Sequence, residues 1–195
     1  MKDKYKKIWE LALPYQDKRD DKGHAKIVTE YTFELCQIEK ANEIVAVAAA
    51  ILHDIGWSKL SQEERLNIFG SKITPEAEYE IRLKHQNESV KLAKKILNTA
   101  KYPIIYFKDI FEIISEHDTR EGFLSSEDGV MRDADKLWRY SQKGFQADLS
   151  RNNFTFDFLY NKMLKNIDRK NYFCFDSARD IARQELENRR REFSE

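Results

Sequence analysis

The chain has 195 residues, enough for one well-packed domain, and its 34 basic residues are matched by 34 acidic ones. That balance excludes a general binder of nucleic-acid polymers or anionic membranes, which would show a basic excess. With 41% apolar and 35% charged residues, the composition is that of a soluble, helix-prone globular protein.

Only 6 Gly and 3 Pro interrupt the chain, and no stretch alternates for long like a strand. Helical periodicity therefore predicts an all-α fold, with helices at roughly 2–13, 22–39, 42–55, 59–66, 75–99, 106–117, 128–143, 155–168 and 176–193. The first carries "MKDKYKKIWELALPY", where Lys residues interleave with Ile8, Trp9 and Leu11. No signal-peptide core follows, so cytoplasm is the expected location. Asp20 or Asp21 is placed to cap the second helix. The third holds the longest apolar run, "IVAVAAAIL", about half of a membrane span, and Gly56 is placed to close it in a left-handed conformation. Thr74-Pro75 opens the fifth. Segments 66–75 and 119–128 read as loops, punctuated by Gly70 and Gly122. Cys36 and Cys174 sit among apolar residues and read as reduced, buried thiols. In the last helix Arg189–Arg191 reads as a solvated end that favours the helix dipole, not as a nucleic-acid patch.

The third helix ends in "AAAILHDIGW", which sets His53 and Asp54 side by side after a run that buries most of its surface. A buried carboxylate with no partner costs several kcal/mol or gives up its charge. The four histidines of the chain, His24, His53, His85 and His117, all fall on predicted helices. His24 leads Val28 and Tyr31, His85 leads Ser89, Leu92 and Ile96, and His117 follows Ile110, Ile113 and Ile114, spacings that turn each imidazole inward. Read singly, each is a core histidine bonded to a carbonyl. Read together, inward His and carboxylate side chains from facing helices are a way to hold one or two metal ions. Downstream, Asp135 shares a face with Met131, Trp138 and Arg139 and points to apolar surroundings, with an ion pair to Arg139 as the purely structural reading. Asp133 lies on another face and is expected to be solvated.

The order His24, His53-Asp54, Asp135, with "LHDIG" and "DADKL", resembles the HD-domain metal-dependent phosphohydrolases over residues 22–143 or so. "HQNESVKLAKKIL" and "IISEHD" place His85 and His117 where HD subfamilies with two metals carry further histidines. With no linker or repeat, the chain reads as a single helical domain over 1–195, and 151–195, which carries no motif, reads as helices "DFLYNKMLKNI" and "ARDIARQELENRRREF" packed on the motif-bearing core. The resemblance implies that His24, His53, Asp54 and Asp135 form one metal site and Asp54, His85 and His117 a second, with Asp54 as the bridging, catalytic carboxylate. Asp54's charge would then be neutralised by the ion. Mixed His and carboxylate ligands suit Fe, Mn, Co, Ni or Zn better than Mg alone. The implied activity is hydrolysis of a phosphate ester or anhydride of a nucleotide or similar small molecule, by metal-activated water. An HD-type di-iron oxygenase and a non-catalytic, metal-stabilised regulatory module are the alternatives, and a homo-oligomer is compatible with the sequence. Two departures remove familiar cations: Ile27-Val28 stands where an Arg-Val pair is common, and Trp57 where a Lys is common, with Lys59 two residues on. Lys59, Arg120 and Arg139 are the candidate substrate-binding cations.

Overall fold

The most apolar stretch of the sequence becomes the centre of the molecule. The computed structural model describes residues 3–19, 21–68 and 73–194, and its helices are α1 (Asp3–Ala12), α2 (His24–Glu39), α3 (Glu43–Leu52), α4 (Gln62–Asn67), α5 (Pro75–Thr99), α6 (Phe107–Glu116), α7 (Ser126–Trp138), α8 (Gln142–Asn152), α9 (Phe156–Ile167) and α10 (Asp176–Ser194). No strand occurs among the described residues, and none of their helices is long and apolar enough to cross a membrane. The fold is all-α, as expected. Asp20, Gly70 and Lys2, which carried a cap, a loop and a helix start in the sequence reading, lie outside the described residues.

In α3 every residue from Val45 to Leu52 is buried. A helix apolar on all sides must be surrounded, and α1, α2, α6 and α7 pack around it. Four of those eight residues are alanines, which lets the neighbours approach closely. Asn42 starts the helix by accepting the Ile44 N–H at 3.0 Å. The helix ends at Leu52, earlier than the periodicity suggests, and a 3-10 turn, Ile55–Lys59, follows.

Gly56 lies inside that turn and is not left-handed. Its role is steric. A Cβ there would sit 2.0 Å from the His85 carbonyl oxygen and 2.4 Å from the Ser89 nitrogen, so only glycine lets α5 cross the turn this closely. The Gly56 N–H donates to Ser89 Oγ at 2.8 Å and fixes the crossing.

Several expected boundaries move. The N-cap of α2 is Gly23, with φ 93°, and the carboxylate that serves this end is Asp17, which accepts from the Gly23 and Ala25 N–H groups at 2.7 and 3.1 Å. Asp21 contributes only its backbone carbonyl, to the His24 N–H. Thr74-Pro75 opens α5 as expected, with Thr74 Oγ1 accepting from Ala77. The single helix expected over 128–143 is two, because Ser141 caps α8 by accepting from the Gly144 N–H and donating to the Trp138 carbonyl. A Cβ on Gly144 would lie 1.9 Å from that carbonyl oxygen, so the Ser-x-x-Gly pattern is what folds α8 back.

Asp133 is fully buried, not solvated. It accepts the N–H groups of Cys174 and Phe175 at 2.9–3.0 Å and so ties α7 to the start of α10. Burial raises its carboxyl to about 6, against the pull of Lys136 and of those donors. Arg189 is likewise buried, paired with Glu185 and Glu192, while Arg190 and Arg191 are exposed. Neither cysteine forms a disulfide among the described residues; Cys36 is buried and Cys174 half-buried.

Candidate metal centre

Five helices deliver the candidate ligands. His24 is the first residue of α2 and His117 the residue that caps α6, while His85 and Asp135 lie within α5 and α7. His53 keeps helical dihedrals at the end of α3 (φ −60°, ψ −40°), but Asp54 has left the helix (φ −104°, ψ 2°). That change lets two adjacent residues, which a continuous helix would splay by about 100°, face one cavity.

The side chains converge as two groups that share Asp54. Ligand atoms of His24, His53 and Asp54 all lie within 4.8 Å of one another, as do those of Asp54, His85 and His117. Asp54 Oδ2 stands 3.4 and 3.6 Å from Nε2 of His24 and His53. Its Oδ1 stands 3.5 and 3.4 Å from Nε2 of His85 and His117. Asp135 Oδ1 joins the first group at 3.3 and 3.5 Å from His24 and His53. Asp118, the residue after His117, approaches the second, its Oδ2 3.5 Å from His85 Nε2. Asp135 does not pair with Arg139, which is taken by Asp148 at 2.7 Å.

The donor chemistry fits divalent ions. His53 and His117 each hold a backbone carbonyl with Nδ1, at Ala50 and Ile114, both at 2.8 Å. That bond requires the proton on Nδ1 and leaves the Nε2 lone pair aimed inward. Yet Nε2 of His24 and His53 are 3.1 Å apart, and those of His85 and His117 3.3 Å. Lone pairs at such separations repel unless a proton or a cation stands at the site. The four rings are buried, so water cannot relieve them. The carboxylates act on His53 in the same sense. Burial works against its charge, but the Asp54 and Asp135 carboxylates outweigh this and raise it to about 9. An ion would displace that proton. His85, with burial dominant, is shifted down.

Residues around the ligands hold them in place. Arg19 Nη2 donates to Asp54 Oδ2 at 2.6 Å and Trp57 Nε1 to Asp54 Oδ1 at 3.0 Å. Despite burial, Arg19 and His53 keep Asp54 well below the usual carboxylate range. The Trp57 ring stacks on His85 with ring centres 4.1 Å apart, and the Arg19 guanidinium carbon lies 4.7 Å from the Trp57 ring centre. Arg82 pairs with Asp118 at 2.9 Å, and Gln86 accepts the Asp118 N–H at 3.0 Å. Sequence reasoning missed Arg19, five residues before His24, as the cation beside Asp54. No periodicity signals such a residue. Arg82 was closer to legible, one turn before His85 on the same helix.

The cluster opens into a cleft of about 430 Å³ whose walls include Arg19, Arg82, Asp118, Lys136, Arg139 and Lys162. Of the cations expected to meet substrate, Arg139 lines it. Lys59 and Arg120 do not. Lys59 is exposed with its ammonium over the Tyr15 ring, and Arg120 reaches Glu116 and the buried Asp128, closing the 119–125 loop.

No curated protein and no solved structure matches the chain. The family model for the HD domain matches residues 22–139, more than half of the chain and a span that contains all six expected ligands. With that match and a His/Asp cluster of the matching order, the chain belongs to the HD domain family.

Proposed function

We propose that this protein is a metal-dependent phosphohydrolase that cleaves a phosphate ester or anhydride of a nucleotide or similar small molecule. The observation that carries the reading is the division of Asp54, one oxygen toward each pair of imidazoles, in a cleft lined by both arginines and carboxylates. His24, His53, Asp54 and Asp135 would hold one divalent transition ion, and Asp54, His85 and His117 a second. Bound there, such ions lower the pKa of water and offset charge on phosphoryl oxygens.

The chain's own residues do the rest. Arg19 and Trp57 fix the two oxygens of Asp54, so the orientation of this carboxylate is set before substrate arrives. Arg19 and Arg82 also line the cleft, where their guanidinium edges can meet non-bridging phosphate oxygens. Burial of the four imidazoles keeps bulk water away from the ligand atoms.

The test is metal analysis of protein purified without chelator, followed by phosphate release from a panel of nucleotides and dinucleotides. Metal-dependent release supports the reading. Oxygen uptake with a mixed-valent iron signal, and no phosphate release, would replace it with an oxygenase. A fully metal-loaded protein inactive toward both would be a regulatory module.

A further inference from the structure

The chain carries the His-Asp pair twice. "LHD" ends α3 at His53-Asp54, and "EHD" ends α6 at His117-Asp118. The two helix ends are built alike. Each histidine caps its helix with helical dihedrals, φ −60°, ψ −40° for His53 and φ −58°, ψ −29° for His117. Each gives Nδ1 to the carbonyl three residues back at 2.8 Å. Each aspartate then brings an oxygen to the imidazoles. The ligand set implied by the resemblance uses the aspartate of the first pair only.

Asp118 Oδ2 stands 3.5 Å from His85 Nε2, the same distance at which Asp54 Oδ1 stands from that nitrogen. It is 3.9 Å from His117 Nε2. The backbone holds this placement. Gln86, the buried neighbour of His85 on α5, accepts the Asp118 N–H at 3.0 Å and donates to Thr119 Oγ1 at 3.2 Å. The turn after His117 is thereby tied to the helix that carries His85.

Arg82 draws on the same oxygen, with Nη1 2.9 Å from Asp118 Oδ2, while its Nε and Nη2 donate to Glu78 Oε1 at 2.9 and 2.7 Å. A guanidinium on a carboxylate is compatible with a ligand role, since Arg19 meets Asp54 Oδ2 at 2.6 Å in the same way. It does set up a competition, because an ion among the imidazoles and the guanidinium share one oxygen's charge. The first half has Asp135 as a carboxylate of its own. Asp118 is the corresponding group of the second.

We propose that Asp118 is a further metal ligand, belonging to the second ion, and that Arg82 competes with the ion for it. This rests on the two-ion part of the phosphohydrolase reading, but metal affinity is measured without turnover. The competition makes the second ion the weaker of the two, and it gives Arg82 an effect opposite to that of a residue that supports the site.

The probe is Mn²⁺ added to metal-free protein, with the free ion followed by its electron paramagnetic resonance signal to give the stoichiometry and the Kd of each ion. Asp118→Asn should weaken the second ion by about tenfold, the scale of losing a group that shapes a metal site, and leave the first nearly unchanged. Arg82→Gln should tighten the second ion by about tenfold, the scale of one charge-assisted hydrogen bond. A damaged fold cannot produce that gain. Removing a cation also favours a nearby ion through space, so the two substitutions are read as a cycle. In the Asp118→Asn background, Arg82→Gln should lose most of its effect. A second Kd unchanged by Asp118→Asn, a second ion weakened by Arg82→Gln, or an equal effect of Arg82→Gln in both backgrounds would overturn the assignment. One ion in the wild type would overturn the two-ion reading together with it. Two ions that respond as expected, with no phosphate compound hydrolysed, would overturn the phosphohydrolase reading and leave Asp118 as a ligand.

Discussion

The two halves of the ligand cluster have similar members but different surroundings. Each takes two imidazoles and one oxygen of Asp54, and each has a further aspartate nearby. In the first half that aspartate is Asp135, whose ion-pair partners among the described residues are His24 and His53, with no Lys or Arg among them. In the second it is Asp118, already held by Arg82 at 2.9 Å. Arg19 touches the shared carboxylate on the first half's side, yet Asp135 leaves that half a carboxylate paired only with imidazoles among the described residues. A ligand set is therefore not defined by residue types alone. The first half should hold its ion more tightly, and the second should be the one that empties first.

Chelation gives the largest effect. Ions bound only by the folded state stabilise it by about 4 kcal/mol when present at a thousandfold above Kd. Titration with a chelator should lower the melting temperature in two stages, the second half emptying first, and added metal should reverse both. A melting curve indifferent to chelator would mean that the histidines are ordinary core residues.

Gly56→Ala should come next. Its Cβ would collide with the His85 carbonyl and the Ser89 amide, and forcing α5 outward should cost about 3 kcal/mol. Because α5 carries His85 and not His24 or His53, the variant should lose the second ion while keeping the first. Loss of both, or of neither, would break the distinction between the halves.

Trp57→Phe keeps a ring to stack on His85 but removes the N–H that holds Asp54 Oδ1. Affinity for the second ion should fall by about tenfold, as for other hydrogen bonds that orient a ligand, with the first ion less affected. The smallest effect is expected from Lys59→Ala. That side chain lies outside the cleft over Tyr15, so kcat/KM should stay within twofold of wild type.

What the sequence disclosed depended on how local each feature is. The helices with clear periodicity were legible, and so was the inward direction of the histidines, because both follow from i, i+3 and i, i+4 spacing. The break at Ser141 was marked by a Ser-x-x-Gly pattern but hidden by continued helical propensity on both sides. Asp133 looked solvated because its helix face is polar in sequence; its partners, the amides of Cys174 and Phe175, come from forty residues away. Gly56 signalled a constraint, though the constraint is a close crossing and not a left-handed turn. Arg19 could not be read at all. It comes from a connecting segment, and only the folded chain sets it beside Asp54 and Trp57.

The proposed bridging role of Asp54 would join the two halves, and metal content per chain tests it most directly. Elemental analysis of wild type, His85→Ala and Asp54→Ala, each purified without chelator and loaded with the same transition metal, should give two, one and no tightly held ions. His85→Ala should lose most of its hydrolytic activity with the second ion. Asp54→Ala with wild-type metal content would contradict the bridge, and two ions in all three proteins would mean that neither residue is a ligand.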